Sequence, residues 1–163
     1  LLLIIALFTK KQYSVFREIV INRPVAEVYE YVRFMKNQDH YSKWVMTDPG
    51  KKVSFRGTDG QVGFVYAWDG NSQAGKGEQE IVKLVDSELV DVEVRFEKPM
   101  PATARTPVTL RSISAQQTNV HWGMNSSMKY PMNIMLVLFG LEKVLGKDLE
   151  ISLNNLKNIL EKK

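Results

Sequence analysis

Polar and apolar positions change their period twice along the chain. Over residues 13–22 they alternate, with Val15, Arg17, Ile19 and Ile21 on one side and Phe16, Glu18 and Val20 on the other, which predicts a strand. Asn22-Arg23-Pro24 ends it and opens a helix in which Val25, Val28, Tyr29, Val32 and Met35 share one face. A short helical turn near residues 37–44 follows, and then a turn at Asp48-Pro49-Gly50. From there period two returns. It predicts six strands, near residues 53–57, 62–68, 77–85, 89–96, 108–114 and 119–128, with short connections that imply antiparallel neighbours. Asp59-Gly60 marks a hairpin and residues 70–75 a longer loop. The three prolines of residues 98–107 predict a loop or an irregular edge rather than a central strand. After Tyr130-Pro131 the period becomes helical almost to Lys163, and Leu138, Leu141, Leu145, Leu149, Ser152, Leu156 and Ile159 form one apolar stripe. One long C-terminal helix is expected. Gly140 and Gly146 within it each cost about 1 kcal/mol against Ala, so both are read as close-packing sites.

At 163 residues the chain is the size of one domain. The order of strand, two short helices, six strands and long helix predicts an α+β fold, a curved seven-stranded antiparallel sheet with the helix across it. Cysteine is absent, which removes thiolate nucleophiles, Cys-ligated zinc, iron–sulfur clusters and disulfides together. The net charge of +4 comes without a lysine-rich tract, so nucleic acid is not an expected partner. Leu1 is not a natural start, and residues 1–8 read LLLIIALF before a Lys pair. Eight residues are too few for a bilayer core that takes about 20 in a helix. The run is read as the remnant of an N-terminal membrane anchor or signal segment over residues 1–10, followed by one domain over residues 11–163. The alternative is a buried first element. The side of the membrane is undetermined.

The element order resembles the helix-grip fold of the START, Bet v 1 and polyketide cyclase-like (SRPBCC) superfamily. Ser14-Val15-Phe16-Arg17-Glu18-Ile19-Val20-Ile21-Asn22-Arg23-Pro24 looks like its opening strand, and Val28 to Val32 like its first helix. Trp68-Asp69-Gly70-Asn71, Gly75-Lys76-Gly77-Glu78-Gln79-Glu80-Ile81 and Thr118-Asn119-Val120-His121-Trp122 resemble strands of a bacterial branch. Gly146-Lys147-Asp148-Leu149-Glu150 resembles its final helix. Members of that branch often carry an N-terminal transmembrane segment, in keeping with residues 1–8. The superfamily includes lipid carriers, cyclases, quinone-binding proteins and Hsp90-cochaperone-like domains, so the resemblance implies a fold more sharply than an activity.

Catalytic patterns are sparse. Gly70 to Lys76 spells GxxxxGK, but Gly77 stands where a P-loop needs a hydroxyl, and a strand rather than a helix is expected next. His40 and His121 are the only histidines, neither has a neighbour at a metal-ligand spacing, and no GxSxG elbow occurs. No metal or cofactor is implied. Glu78 with Glu80 and Asp91 with Glu93 fall on the outer face of their strands, because Val90, Val92, Val94 and Phe96 take the inner one. The inner-facing aromatics and methionines carry the positive signal: Phe64, Tyr66, Trp68, Phe96, Trp122, Met124, Met135 and Phe139. They form either an ordinary packed core or, as the helix-grip resemblance implies, the wall of a cavity for a small hydrophobic or lipid-like ligand. A polyketide cyclase- or dehydratase-like enzyme using His121 or Tyr66, and an Hsp90-cochaperone-like interaction domain, are the alternatives.

Overall fold

Alternation and helical period translate directly into the elements of the computed structural model, which describes residues 2–162. Leu1 and Lys163, the first residue of the expected anchor and the last of the expected domain, lie outside the described residues. In chain order the elements are α1 (Leu2–Phe8), β1 (Gln12–Ile21), α2 (Val25–Val32), α3 (Gln38–Tyr41), β2 (Lys52–Arg56), β3 (Val65–Asp69), β4 (Lys76–Val85), β5 (Leu89–Lys98), β6 (Ala102–Arg105), β7 (Val108–Ser114), β8 (Gln117–Ser127), α4 (Met135–Leu138) and α5 (Leu141–Glu161). The strands form one antiparallel sheet in the order β1-β8-β6-β5-β4-β3-β2, with β7 also paired to β5 and β8. This is the α+β architecture predicted from the element order.

Inward positions alternate as the period requires. Gly77, Gln79 and Ile81 of β4 and Val90, Val92 and Val94 of β5 are buried, while Glu78, Glu80, Asp91 and Glu93 stay on the other face. There Arg95 bonds Glu78, Glu80 and Glu93 together. The acidic pairs therefore belong to an outer ion-pair network, as their spacing predicted. Helix α5 lays Leu149, Leu153, Leu156 and Leu160 into the concave side of the sheet, each fully buried leucine contributing about 1.5–3 kcal/mol relative to an exposed one. Gly146 is a close-packing site as expected: Arg17, from the inner face of β1, passes over it to reach Glu150 at 2.6 Å.

Three expectations change. Residues 98–107 contain β6, which is central rather than an edge: it lies between β8 and β5. β6 and β7 together occupy one lane of the sheet, interrupted at Thr106-Pro107 because Pro107 has no N–H to give. Bonds persist across the break, from Thr106 N to Val92 O (2.8 Å) and from Gly123 N to Pro107 O (3.0 Å). The C-terminal helix is not continuous from Pro131. A 3₁₀ turn (Met132–Ile134) and α4 come first, and Gly140 at φ +54° breaks the path before α5. A side chain at Gly140 would meet nothing within 4 Å, so its role is the left-handed backbone and not close packing. Strand β3 starts at Val65, not Val62, which is exposed.

The N-terminal apolar run forms α1 and packs against the Met132–Ile134 turn. Asn133, fully buried there, donates from Nδ2 to the carbonyls of Ala6 (2.7 Å) and Thr9 (3.0 Å). Among the described residues, no helix is long and apolar enough to cross a membrane.

Candidate functional site

Between the concave sheet and its helices lies a cavity of about 210 Å³. Its sheet side is built from inward positions: Gln79 of β4, Val94 and Phe96 of β5, and Trp122 and Met124 of β8. Thr106, at the break between β6 and β7, joins them. Trp68 projects from β3 over Gly77, its register partner on β4, and meets the edge of Phe96 with ring centroids 6.0 Å apart. The opposite side comes from Gln38 and Ser42 at α3, Trp44, Val45 and Thr47 of the following turn, and Leu145 of α5. Lys51 and, from the loop of residues 70–75, Ala74 and the exposed Gln73 complete the lining.

All three tryptophans of the chain line this space. Two have their indole N–H engaged: Trp44 Nε1 donates to Asp148 Oδ2 (3.2 Å) and Trp68 Nε1 to the Ala74 carbonyl (3.0 Å). The third does not. Trp122 Nε1 is buried without a partner, and so is Ser42 Oγ; the two residues are 3% and 1% exposed. Buried polar atoms are normally paired, and leaving one unpaired costs about 1–3 kcal/mol. Lys51 is the only ionisable side chain in the lining.

The expected site residues separate into three groups. Trp68, Phe96, Trp122 and Met124 are brought together on the cavity wall. Phe64 and Tyr66 are fully buried in the core beside it, with Phe55 packed on both rings. Tyr66 is turned to α3, donating its hydroxyl to Asp39 Oδ1 at 2.7 Å, and burial together with that carboxylate raises its pKa. Met135 is half-buried and Phe139, just after α4, is 63% exposed; neither is in the lining. His121 stacks on Phe16 with ring centroids 4.7 Å apart and also lies outside it. Ser42, Trp44, Gln79, Thr106 and Leu145 were not singled out from sequence. Two of them carried a signal: Trp44, an aromatic closing a short helical turn, and Leu145, on the apolar stripe of the last helix. Residues 70–75 form the expected loop between β3 and β4, closed by Gly70 N to Gly75 O (2.9 Å). Among the described residues, no group of three His, Asp or Glu could hold a metal ion.

No family model matches the chain, and no curated protein matches it. Solved structures do. Norcoclaurine synthase from Thalictrum flavum, solved with dopamine and hydroxybenzaldehyde, superposes with a TM-score of 0.70 at 10% identity, covering 98% of this chain and 92% of that one. Protein CV1439 from Chromobacterium violaceum gives 0.62 at 16% identity, over 91% of this chain and 96% of that one. These are Bet v 1-type proteins. The chain has the helix-grip fold. DynU16, a putative protein of the dynemicin biosynthetic locus, shares the helix-grip fold at a TM-score of 0.61 and 17% identity, over 91% of this chain and 47% of DynU16. The chain thus spans about half of DynU16. At these identities the likeness is one of fold.

Proposed function

We propose that the protein binds a small hydrophobic molecule in the cavity between sheet and helices. The observation that carries this reading is the cavity of about 210 Å³ itself, walled by all three tryptophans together with Phe96 and Met124. The apolar surface of a bound molecule contributes about 25 cal/mol per Å² removed from water. Norcoclaurine synthase, whose structure holds two small aromatic molecules, provides a precedent on the same fold. The test is native mass spectrometry of gently purified protein, followed by solvent extraction. A defined small compound released on extraction is the expected result. A bare mass, together with no stabilisation by any apolar compound, would overturn the reading.

We also infer that the apolar N-terminal region seats the protein on a membrane. Leu3, Ile4, Leu7 and Phe8 of α1 are exposed, Phe8 at 86%, and the neighbouring segment adds Leu138, Phe139 and Val144. Exposed Lys10, Lys11, Lys129 and Lys143 flank these positions in sequence, and Met128 N bonds the Lys11 carbonyl at 2.7 Å, joining the two stretches. Exposed apolar side chains with lysines near them in the chain suit the interface of an anionic bilayer. Sedimentation with phosphatidylglycerol vesicles should carry the protein down, more at low salt than at high. Leu7→Ser with Phe8→Ser should weaken this without changing the fold, and equal recovery of wild type and variant would count against the membrane seat.

A further inference from the structure

The sheet ends in two strands that have a neighbour on one side only, β1 and β2. Each carries a row of backbone N–H and C=O groups that no strand pairs, and such a row is a template for another chain unless something covers it. The two edges differ. On β1, Lys157 Nζ donates to the Val20 carbonyl (2.6 Å) and Arg17 Nη1 to the Phe16 carbonyl (2.7 Å). Just beyond the strand, Glu161 accepts from the Asn22 amide (2.7 Å). That edge is plugged by side chains. Strand β2 is exposed at all five of its residues, and among the described residues no side chain bonds its backbone.

The neighbouring ladder fixes which groups of β2 face outward. Ile81 N bonds the Phe64 carbonyl and Gly70 N bonds the Gly75 carbonyl, one at each end of β3. Hydrogen-bonded pairs alternate in an antiparallel ladder, so Tyr66 and Trp68 bond β4, while Val65, Ala67 and Asp69 bond β2. The partners of those three are Arg56, Ser54 and Lys52. The N–H and C=O of Val53 and Phe55 therefore point away from the sheet, four free groups in all. The side chains divide by face. Val53 and Phe55 lie opposite Trp68 and Tyr66 on the concave side and stay 43% and 41% exposed, and Lys52, Ser54 and Arg56 take the convex side.

We propose that the free edge of β2 docks an extended segment of a partner protein as one more strand, with apolar side chains alternating with acidic ones. A strand laid antiparallel to β2 sets one row of side chains beside Val53 and Phe55 and the other beside Lys52 and Arg56. Phe55 makes the first row apolar, since its ring continues those of Phe64 and Tyr66 at centroid distances of 6.0 and 5.3 Å. The second row is cationic. Lys52 forms no ion pair among the described residues, and Arg56 gives Nη2 to Glu78 while its side chain stays 60% exposed. Asp69 and Glu78, their acidic neighbours in the sheet, lie inward on β3 and β4. Charge also separates this occupant from a second copy of the chain. Antiparallel self-pairing over all five residues would set Lys52 opposite Arg56 twice, and like charges directly opposite destabilise a ladder. This docking needs neither the cavity nor a membrane.

The probe is the peptide AEVTVEA, acetylated and amidated at its ends, titrated into isotope-labelled protein and followed by amide NMR shifts. Shifts at residues 52–56 should saturate. A peptide with lysines in place of the glutamates should bind about tenfold more weakly, because like charges then face each other. One with both valine amides N-methylated should lose a similar factor with its main-chain bonds. Val53→Pro, which removes one outward N–H at an edge where proline is tolerated, should weaken the parent peptide about as much. If that variant fails to fold, Lys52→Glu keeps the backbone and should weaken AEVTVEA while strengthening the lysine peptide. Equal binding of the acidic and lysine peptides would overturn the acidic assignment, and full binding of the methylated one would overturn strand addition. Shifts at Trp122 and Met124 that spare residues 52–56 would put the peptide in the cavity. Shifts at residues 52–56 that follow protein concentration with no peptide present would give the edge to a second copy. Either result, or no shift at millimolar peptide, overturns the proposal.

Discussion

Gly77 shows how one missing side chain shapes the cavity. A Cβ there would press on the Trp68 ring at 2.9 Å and on the Arg95 carbonyl of the neighbouring strand. Neither can yield freely, since Trp68 is held by Ala74 and a backbone carbonyl is part of the sheet. Gly77→Ala should therefore cost about 1–3 kcal/mol, as overpacking does, and should move Trp68 into the cavity. Urea unfolding and tryptophan fluorescence on the same preparation would check both effects; unchanged stability would mean the strand relaxes around the extra methyl. At this scale part of the site was legible in sequence. Strand alternation fixed Trp68, Phe96, Trp122 and Met124 as inward, and the cavity uses all four. It could not find Ser42 or Trp44, because their direction is set by an irregular segment that no period describes. Nor could it separate Trp122 from the other tryptophans, because a missing partner is a property of three-dimensional neighbours.

Among the elements, the stretch from α3 to Trp44 is clipped to α5 by side chains rather than by a regular interface. Ser152 Oγ accepts from Lys43 N (2.8 Å) and donates to the Asp148 carbonyl (2.7 Å). Asn155 Nδ2 reaches the Tyr41 carbonyl (3.2 Å), and Asp148 holds the Trp44 indole. This clip fixes one wall of the cavity. Ser152→Ala strands the Lys43 amide and should cost about 1–3 kcal/mol, visible as a lower urea midpoint. A loss below a few tenths would show that water replaces the hydroxyl. Strands β4, β5 and β8 were legible because each buries one face, so period and burial agree; β2 is exposed along its whole length. The broken lane of β6 and β7 was not, because prolines usually exclude a segment from the middle of a sheet. Here Thr106 and Pro107 fall between two paired pieces, and both neighbours keep their bonds. The interruption at Gly140 was hidden for a related reason: the apolar stripe runs on through Leu138, Leu141 and Leu145, and a glycine's sequence does not reveal the sign of its φ.

Over the whole molecule, titration should leave a broad plateau of stability. The carboxyls of Glu78 and Glu161 are held below their ordinary value, Glu78 by hydrogen bonds from Arg56 and Arg95, Glu161 by the Asn22 amide. A depressed carboxyl stabilises the fold above its unfolded pKa near 4.5, and this is lost as pH falls through the folded value. Tyr41 and Tyr66 are raised above 10.0, chiefly by burial. Their neutral forms favour the fold, so their contribution is intact below pH 10.0 and is lost as pH climbs toward the folded values. Urea midpoints should be level from about pH 6 to 9 and fall on both sides, and Tyr41→Phe should soften the alkaline fall. A steady slope across the neutral range would contradict this. One further consequence follows from the placing of Trp44, Trp68 and Trp122. With every tryptophan on the cavity wall, the indole emission of the folded chain, excited selectively at the red edge, originates there. That light is a readout of occupancy, because a guest entering the cavity changes the surroundings of every indole at once rather than of a fraction of them.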